Sequence, residues 1–61
     1  MPPTLKIIKP CTGKCAESDK QAEFSAGWEC EYRGVVRDDG QIEVYWNGRW
    51  WLIPAFATNV D

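Results

Sequence analysis

Tyr45-Trp46-Asn47-Gly48-Arg49-Trp50-Trp51-Leu52-Ile53-Pro54-Ala55 holds three of the chain's four tryptophans, arranged around an Asn-Gly pair. Asn-Gly between alternating bulky residues is the strongest short-range hairpin signal, because both central residues of a type I′ turn need positive φ. The stretch predicts two antiparallel strands and with them an all-β fold. Upstream, Trp28 to Arg37 alternates with period two, which is a strand signal. Asp38-Asp39-Gly40 supplies a short turn, and Gln41 to Trp46 returns as the next strand. Arg49 to Ile53 completes the hairpin, and Pro54 stops the ladder. Pro54 to Thr58 reads as a single 3₁₀ turn before a terminal strand at Asn59-Val60-Asp61.

The turn lengths set a register. A two-residue loop at Asn47-Gly48 places Trp46 opposite Arg49, Tyr45 opposite Trp50, Val44 opposite Trp51, Glu43 opposite Leu52 and Ile42 opposite Ile53. A three-residue loop at Asp38 to Gly40 places Val36 beside Ile42, Gly34 beside Val44 and Tyr32 beside Trp46. One face then collects Cys30, Tyr32, Val36, Ile42, Val44, Trp46, Trp51 and Ile53 as the core. The opposite face collects Arg33, Tyr45 and Trp50 in one row and Val35, Glu43 and Leu52 in the next, an apolar set for a solvated surface. A one-residue slip would exchange the two faces.

The N-terminal part carries weaker signals. Thr4 to Lys9 has the β-branched and aliphatic residues of a short edge strand ending at Pro10. Between Pro10 and Gly27 no periodicity persists. Ala16 to Glu23 has the composition of two helical turns with Ser18 as a cap, but so short a helix is marginal without packing. The segment is expected to be one long loop that Phe24 anchors to the core.

At 61 residues and 7.0 kDa, residues 1–61 have room for one domain with a small core. Stability should therefore rest on the aromatic residues, whose buried area per side chain is the largest available. A net charge of −2 opposes the basic footprint that nucleic acid requires. No apolar run approaches the length of a membrane span, and Met1 to Lys6 has no signal-peptide core, so a cytoplasmic location is the expectation.

Cys11, Cys15 and Cys30 make an odd number, so they cannot all pair within one chain. Free thiols are the simplest reading, with a Cys11–Cys15 or Cys15–Cys30 disulfide as the alternative. A third reading gives their thiolates to zinc with Glu17 as fourth ligand, although the C-x₃-C spacing departs from the usual C-x₂-C and histidine is absent. The lack of histidine also removes the usual base for a cysteine or serine nucleophile. Glu29 and Glu31 share a strand face and resemble a carboxylate pair, but alternating acids are common on solvated strands. No enzyme and no cofactor are expected.

Glu23-Phe24-Ser25-Ala26-Gly27 and Ile53-Pro54-Ala55-Phe56-Ala57-Thr58-Asn59-Val60 resemble the two ends of an SH3 domain. In that family a Leu-Ser-Phe-plus-Gly segment follows an acidic stretch, and a Pro-Ser-Asn-Tyr-Val stretch closes the barrel. The resemblance covers nearly the whole chain. It implies a small SH3-like barrel of five short strands, with a long loop after the first strand and a 3₁₀ turn before the last. Bacterial SH3-like, Tudor-like and other small barrels share this order of elements. The chain has Ile7-Ile8-Lys9-Pro10-Cys11 where proline-peptide binders carry an Ala-Leu-Tyr-Asp-Tyr motif, and Gln41 where they carry a tryptophan. Only Pro54 and Phe56 match groove positions of the family.

The candidate binding residues are Arg33, Tyr45, Trp50, Leu52 and Phe56, since arginine, tyrosine and tryptophan dominate interface hot spots. A purely structural reading has Arg33 stacking on Tyr45 and Trp50 to shield them from water. The leading functional expectation is a protein-interaction module or small accessory factor of the phage or mobile-element type, docking on a partner protein or on itself. A Tudor- or KOW-like nucleic-acid barrel using Tyr45 and Trp50 with Arg33, Arg37 and Arg49 is the second expectation. A small metal-binding domain built on Cys11, Cys15 and Cys30 is the third.

Overall fold

A computed structural model describes residues 3–60. Six antiparallel strands form one sheet: β1 (Thr4–Lys6), β2 (Cys11–Cys15), β3 (Gln21–Phe24), β4 (Glu29–Arg33), β5 (Gln41–Trp46) and β6 (Arg49–Pro54). Their spatial order is β1-β4-β5-β6-β2-β3, and a 3₁₀ turn, Ala55–Ala57, follows β6. The all-β expectation holds, but the strand count is six and the barrel does not close, because β1 and β3 remain as separate edges. The sheet is nevertheless strongly curled, since its extents are 26 × 24 × 21 Å. A flat sheet of six strands would be wide and thin.

The β5–β6 hairpin has the register its turn dictates, from Trp46 opposite Arg49 to Ile42 opposite Ile53. Asn47 and Gly48 both take positive φ, 52° and 78°, as a type I′ turn requires. The β4–β5 pairing differs from expectation. Tyr32 lies opposite Val44, and Arg33 opposite Glu43, because β4 ends at Arg33 and residues 34–40 leave the ladder. The shift is two residues, so every side chain of β4 and β5 keeps its expected face, whereas Val35, expected in the row of Glu43 and Leu52, leaves the sheet with residues 34–40 and is 83% exposed. Cys30, Ile42, Val44, Trp51 and Ile53 are buried, and Tyr32, Val36 and Trp46 pack against them.

The segment expected as a long loop contains the β2–β3 hairpin, in which Cys11 faces Phe24 and Gly13 faces Ala22. No helix forms between Ala16 and Glu23. The inward positions of β2 are Cys11, Gly13 and Cys15, all small, and the Phe24 ring fills the space they leave. A Cβ on Gly13 would stand 2.3 Å from Phe24 Cε1 and 2.9 Å from Ile53 Cγ2. Phe24 is 1% exposed, as its anchoring role predicts. Its ring sits 5.8, 5.3 and 6.1 Å from those of Trp28, Trp46 and Trp51. The Trp51 indole N–H donates to the Trp46 carbonyl at 2.8 Å, so burying this ring leaves no polar atom without a partner.

The two edges are treated differently. Asn59 accepts a hydrogen bond from the Lys6 N–H through Oδ1 at 2.9 Å, and its own N–H donates to the Lys6 carbonyl at 3.0 Å. One residue thus occupies the outward polar groups of Lys6 at the end of β1 as a neighbouring strand would. The expected terminal strand is reduced to this contact and an isolated bridge between Ile7 and Thr58; Asp61 falls outside the described residues. No strand covers the outer edge of β3 among the described residues.

Candidate functional site

The outward faces of β4, β5, β6 and β2 align Arg33, Glu43, Leu52 and Lys14 in one cross-strand row. The adjacent row holds Glu31, Tyr45 and Trp50. Arg33 belongs one row away from its expected position, yet its side chain reaches diagonally so that the guanidinium carbon lies 4.1 Å from the Trp50 ring centroid. Tyr45 meets the same indole edge-on at 5.2 Å. The structure therefore brings Arg33, Tyr45 and Trp50 together, with Leu52 beside Glu43. Trp50 is half-buried under these neighbours rather than open to solvent, and Tyr45, 43% exposed, is the accessible ring. Phe56 is 74% exposed but sits on the 3₁₀ turn beyond β6, where the next residue, Ala57, is bonded to the N–H of Ile8.

Glu43 is the residue that sequence reasoning left without a role. Its Oε2 accepts from Arg33 Nε at 3.0 Å and Nη2 at 2.8 Å, and its Oε1 accepts from Arg37 Nη2 at 2.6 Å. The hydrogen bonds from Arg33, then Arg37, hold its carboxyl below the usual glutamate range. With a side chain only 17% exposed against 55% and 50% for the two arginines, it acts as the hub that fixes both guanidinium groups. The signal is Arg33 and Arg37, both ahead of the 38–40 turn, with an acid returning on the next strand, readable only in the correct register. Two cations around one carboxylate leave a surplus positive charge at this spot.

The cysteines do not form a centre. Cys11 and Cys15 lie four residues apart on an extended strand, about 13 Å between Cα atoms. That distance is too long for a shared metal ion or a disulfide. All three thiols are free, and among the described residues no three His, Cys, Asp or Glu side chains are grouped to hold a metal. The zinc reading with Glu17 is corrected accordingly: C-x₃-C converges in a loop or helix, and here it lies in a strand. Burial pushes the Cys11 and Cys30 thiols up, whereas Cys15 is lowered, chiefly by hydrogen bonding from Ser18. Glu29 and Glu31 are exposed along β4, opposite Lys6 and Thr4 of β1.

Two shallow grooves flank the rows. One, about 340 Å³, is lined by Tyr32, Val35, Val36, Ile42 and Val60. The other, about 510 Å³, runs from Lys14 and Leu52 along the 16–19 turn and is bordered by Glu17 and Asp19. No helix among the described residues is long and apolar enough to cross a membrane.

Comparison with protein-family models, with curated proteins and with solved structures finds no match for this chain.

Proposed function

We propose that this protein is a small non-enzymatic interaction module, related in plan to SH3-like barrels, that docks on a partner protein through the outer face of β4, β5 and β6. The observation that carries the reading is the Arg33–Trp50–Tyr45 cluster, in which a guanidinium stacks on an indole and is tied to Glu43. Such a cluster holds large amphipathic side chains in fixed positions before any partner arrives, which lowers the entropy lost on binding. Arginine, tyrosine and tryptophan are the residue types that dominate binding hot spots. Leu52 extends the face, and Phe56 offers a separate apolar contact beside Pro54. A partner protein suits the face better than nucleic acid, because the chain's net charge is −2. The absence of histidine leaves no usual base for nucleophilic chemistry.

The test is site-specific photocrosslinking in an extract of the source cell, with the crosslinking side chain at Tyr45 or, as control, at the 83%-exposed Val35. The expected result is a discrete adduct from position 45 that Trp50→Ala abolishes and position 35 does not give. Equal labelling from both positions, or no adduct from position 45, would refute the docking face.

A further inference from the structure

Resting on that reading of the outer face, we infer the chemistry of its partner: the Arg33–Arg37 pair captures the one carboxylate of an extended, otherwise neutral peptide segment, whose next same-side residue is apolar and covers Leu52. Each guanidinium has five N–H donors, and Glu43 takes two from Arg33 and one from Arg37. The remaining donors sit on side chains about half exposed, 55% and 50%. Glu43 already holds both groups in place, so a ligand carboxylate meets donors whose freedom has been spent in folding.

The surroundings decide between an isolated carboxylate and a polyanion. Asp38 and Asp39 follow Arg37 directly, Glu31 stands opposite Tyr45, and Glu17 and Asp19 border the groove beyond Leu52. The surplus positive charge is thus an island among acids. A nucleic-acid strand carries a phosphate at every nucleotide and would set several of them against this ring. A peptide places one acid at the island and neutral residues elsewhere.

The row geometry sets the spacing. Arg33 and Leu52 are two strands apart on the same row, about 10 Å at roughly 4.8 Å per step. An extended segment crossing the strands advances about 6.6 Å between residues i and i+2, which share a side. Arg37 and Arg33 reach over Glu43 and close most of the difference. The recognised pattern is an acid at i, an apolar residue at i+2, and no acid required further along, where Lys14 shares the groove with Glu17 and Asp19.

The experiment is an NMR titration of the full chain with capped Glu-Ser-Leu-Ser-Gln, its Gln-Ser-Leu-Ser-Gln counterpart, and single-stranded oligothymidine, at low salt. Expected are shifts at the Trp50 indole, Tyr45 and Leu52 with the glutamate peptide, and binding weaker by about tenfold for the glutamine peptide, the usual worth of one charge-assisted contact. Arg37→Gln, which leaves Arg33 on Trp50, should remove that preference. Equal binding of both peptides, no binding of either, or retention of the preference in Arg37→Gln overturns the inference. Tighter binding of oligothymidine overturns it in favour of a nucleic-acid face. A position-45 adduct without any acid preference would leave the docking face standing and sink only this assignment.

Discussion

Gly13→Ala is the sharpest available perturbation of this fold, because the cost can be worked out from a single close approach. The added methyl would lie 2.3 Å from Phe24 Cε1, 2.9 Å from Phe24 Cδ1 and 2.9 Å from Ile53 Cγ2. Phe24 cannot retreat, being 1% exposed and packed among Trp28, Trp46 and Trp51. Overpacking of this kind costs about 1–3 kcal/mol, offset by about 0.4–1 kcal/mol from the stiffer unfolded chain. The net loss of about 1–2 kcal/mol should lower the melting temperature by roughly 5–15 °C in a domain of this size. Thermal and urea denaturation followed by tryptophan fluorescence measure it. In a Phe24→Leu background the same change should cost less, since the smaller side chain vacates the contested space. A neutral or stabilising Gly13→Ala, or full additivity with Phe24→Leu, would refute the packing of Phe24 over β2.

Gly48→Ala should also destabilise, by about 1–2 kcal/mol, for a different reason. Its φ is 78° with open space around the missing Cβ, so D-alanine introduced by synthesis should show no loss; equal losses would point to a steric cause. Asn59→Ala should cost about 0.5–1.5 kcal/mol and speed hydrogen exchange at the Lys6 amide, and an unchanged Lys6 rate would contradict the edge cap. Glu43 titrates below the usual range when folded, so its contribution is present above the unfolded pKa and lost as pH falls through the folded one. The urea midpoints of wild type and Glu43→Gln should therefore differ at neutral pH and converge in acid. A gap that persists in acid would mean the arginine hub is not electrostatic.

What the sequence made legible follows from where its local signals are unambiguous. Asn47-Gly48 admits one turn type, and the entire β5–β6 register follows from it. Asp38-Asp39-Gly40 does form a turn, with the Gly40 N–H bonded to the Arg37 carbonyl, but nothing local shows that residues 34–36 also leave the ladder. A two-residue offset keeps the inward and outward assignments within β4 and β5, yet it takes Val35 out of the row of Glu43 and Leu52 and sets Arg33 opposite Glu43. The β2–β3 hairpin was illegible because Cys11, Gly13 and Cys15 lack the bulky alternation of a strand. Their smallness makes sense only once Phe24, from the partner strand, lies across them. Arg33 stacks on Trp50 and leaves that ring half-buried, as the structural reading of the row expects, while Tyr45 remains the accessible ring.

The seam between β2 and β6 has a kinetic meaning. Each hairpin closes locally, whereas Lys14–Leu52 and Cys15–Trp51 join parts of the chain more than thirty positions apart. Joining these two ribbons carries the loop-closure cost of a long-range contact, and such distant pairing places small β domains in the millisecond-to-second range. Refolding already complete within the dead time of stopped-flow mixing would be incompatible with a fold closed by so distant a seam.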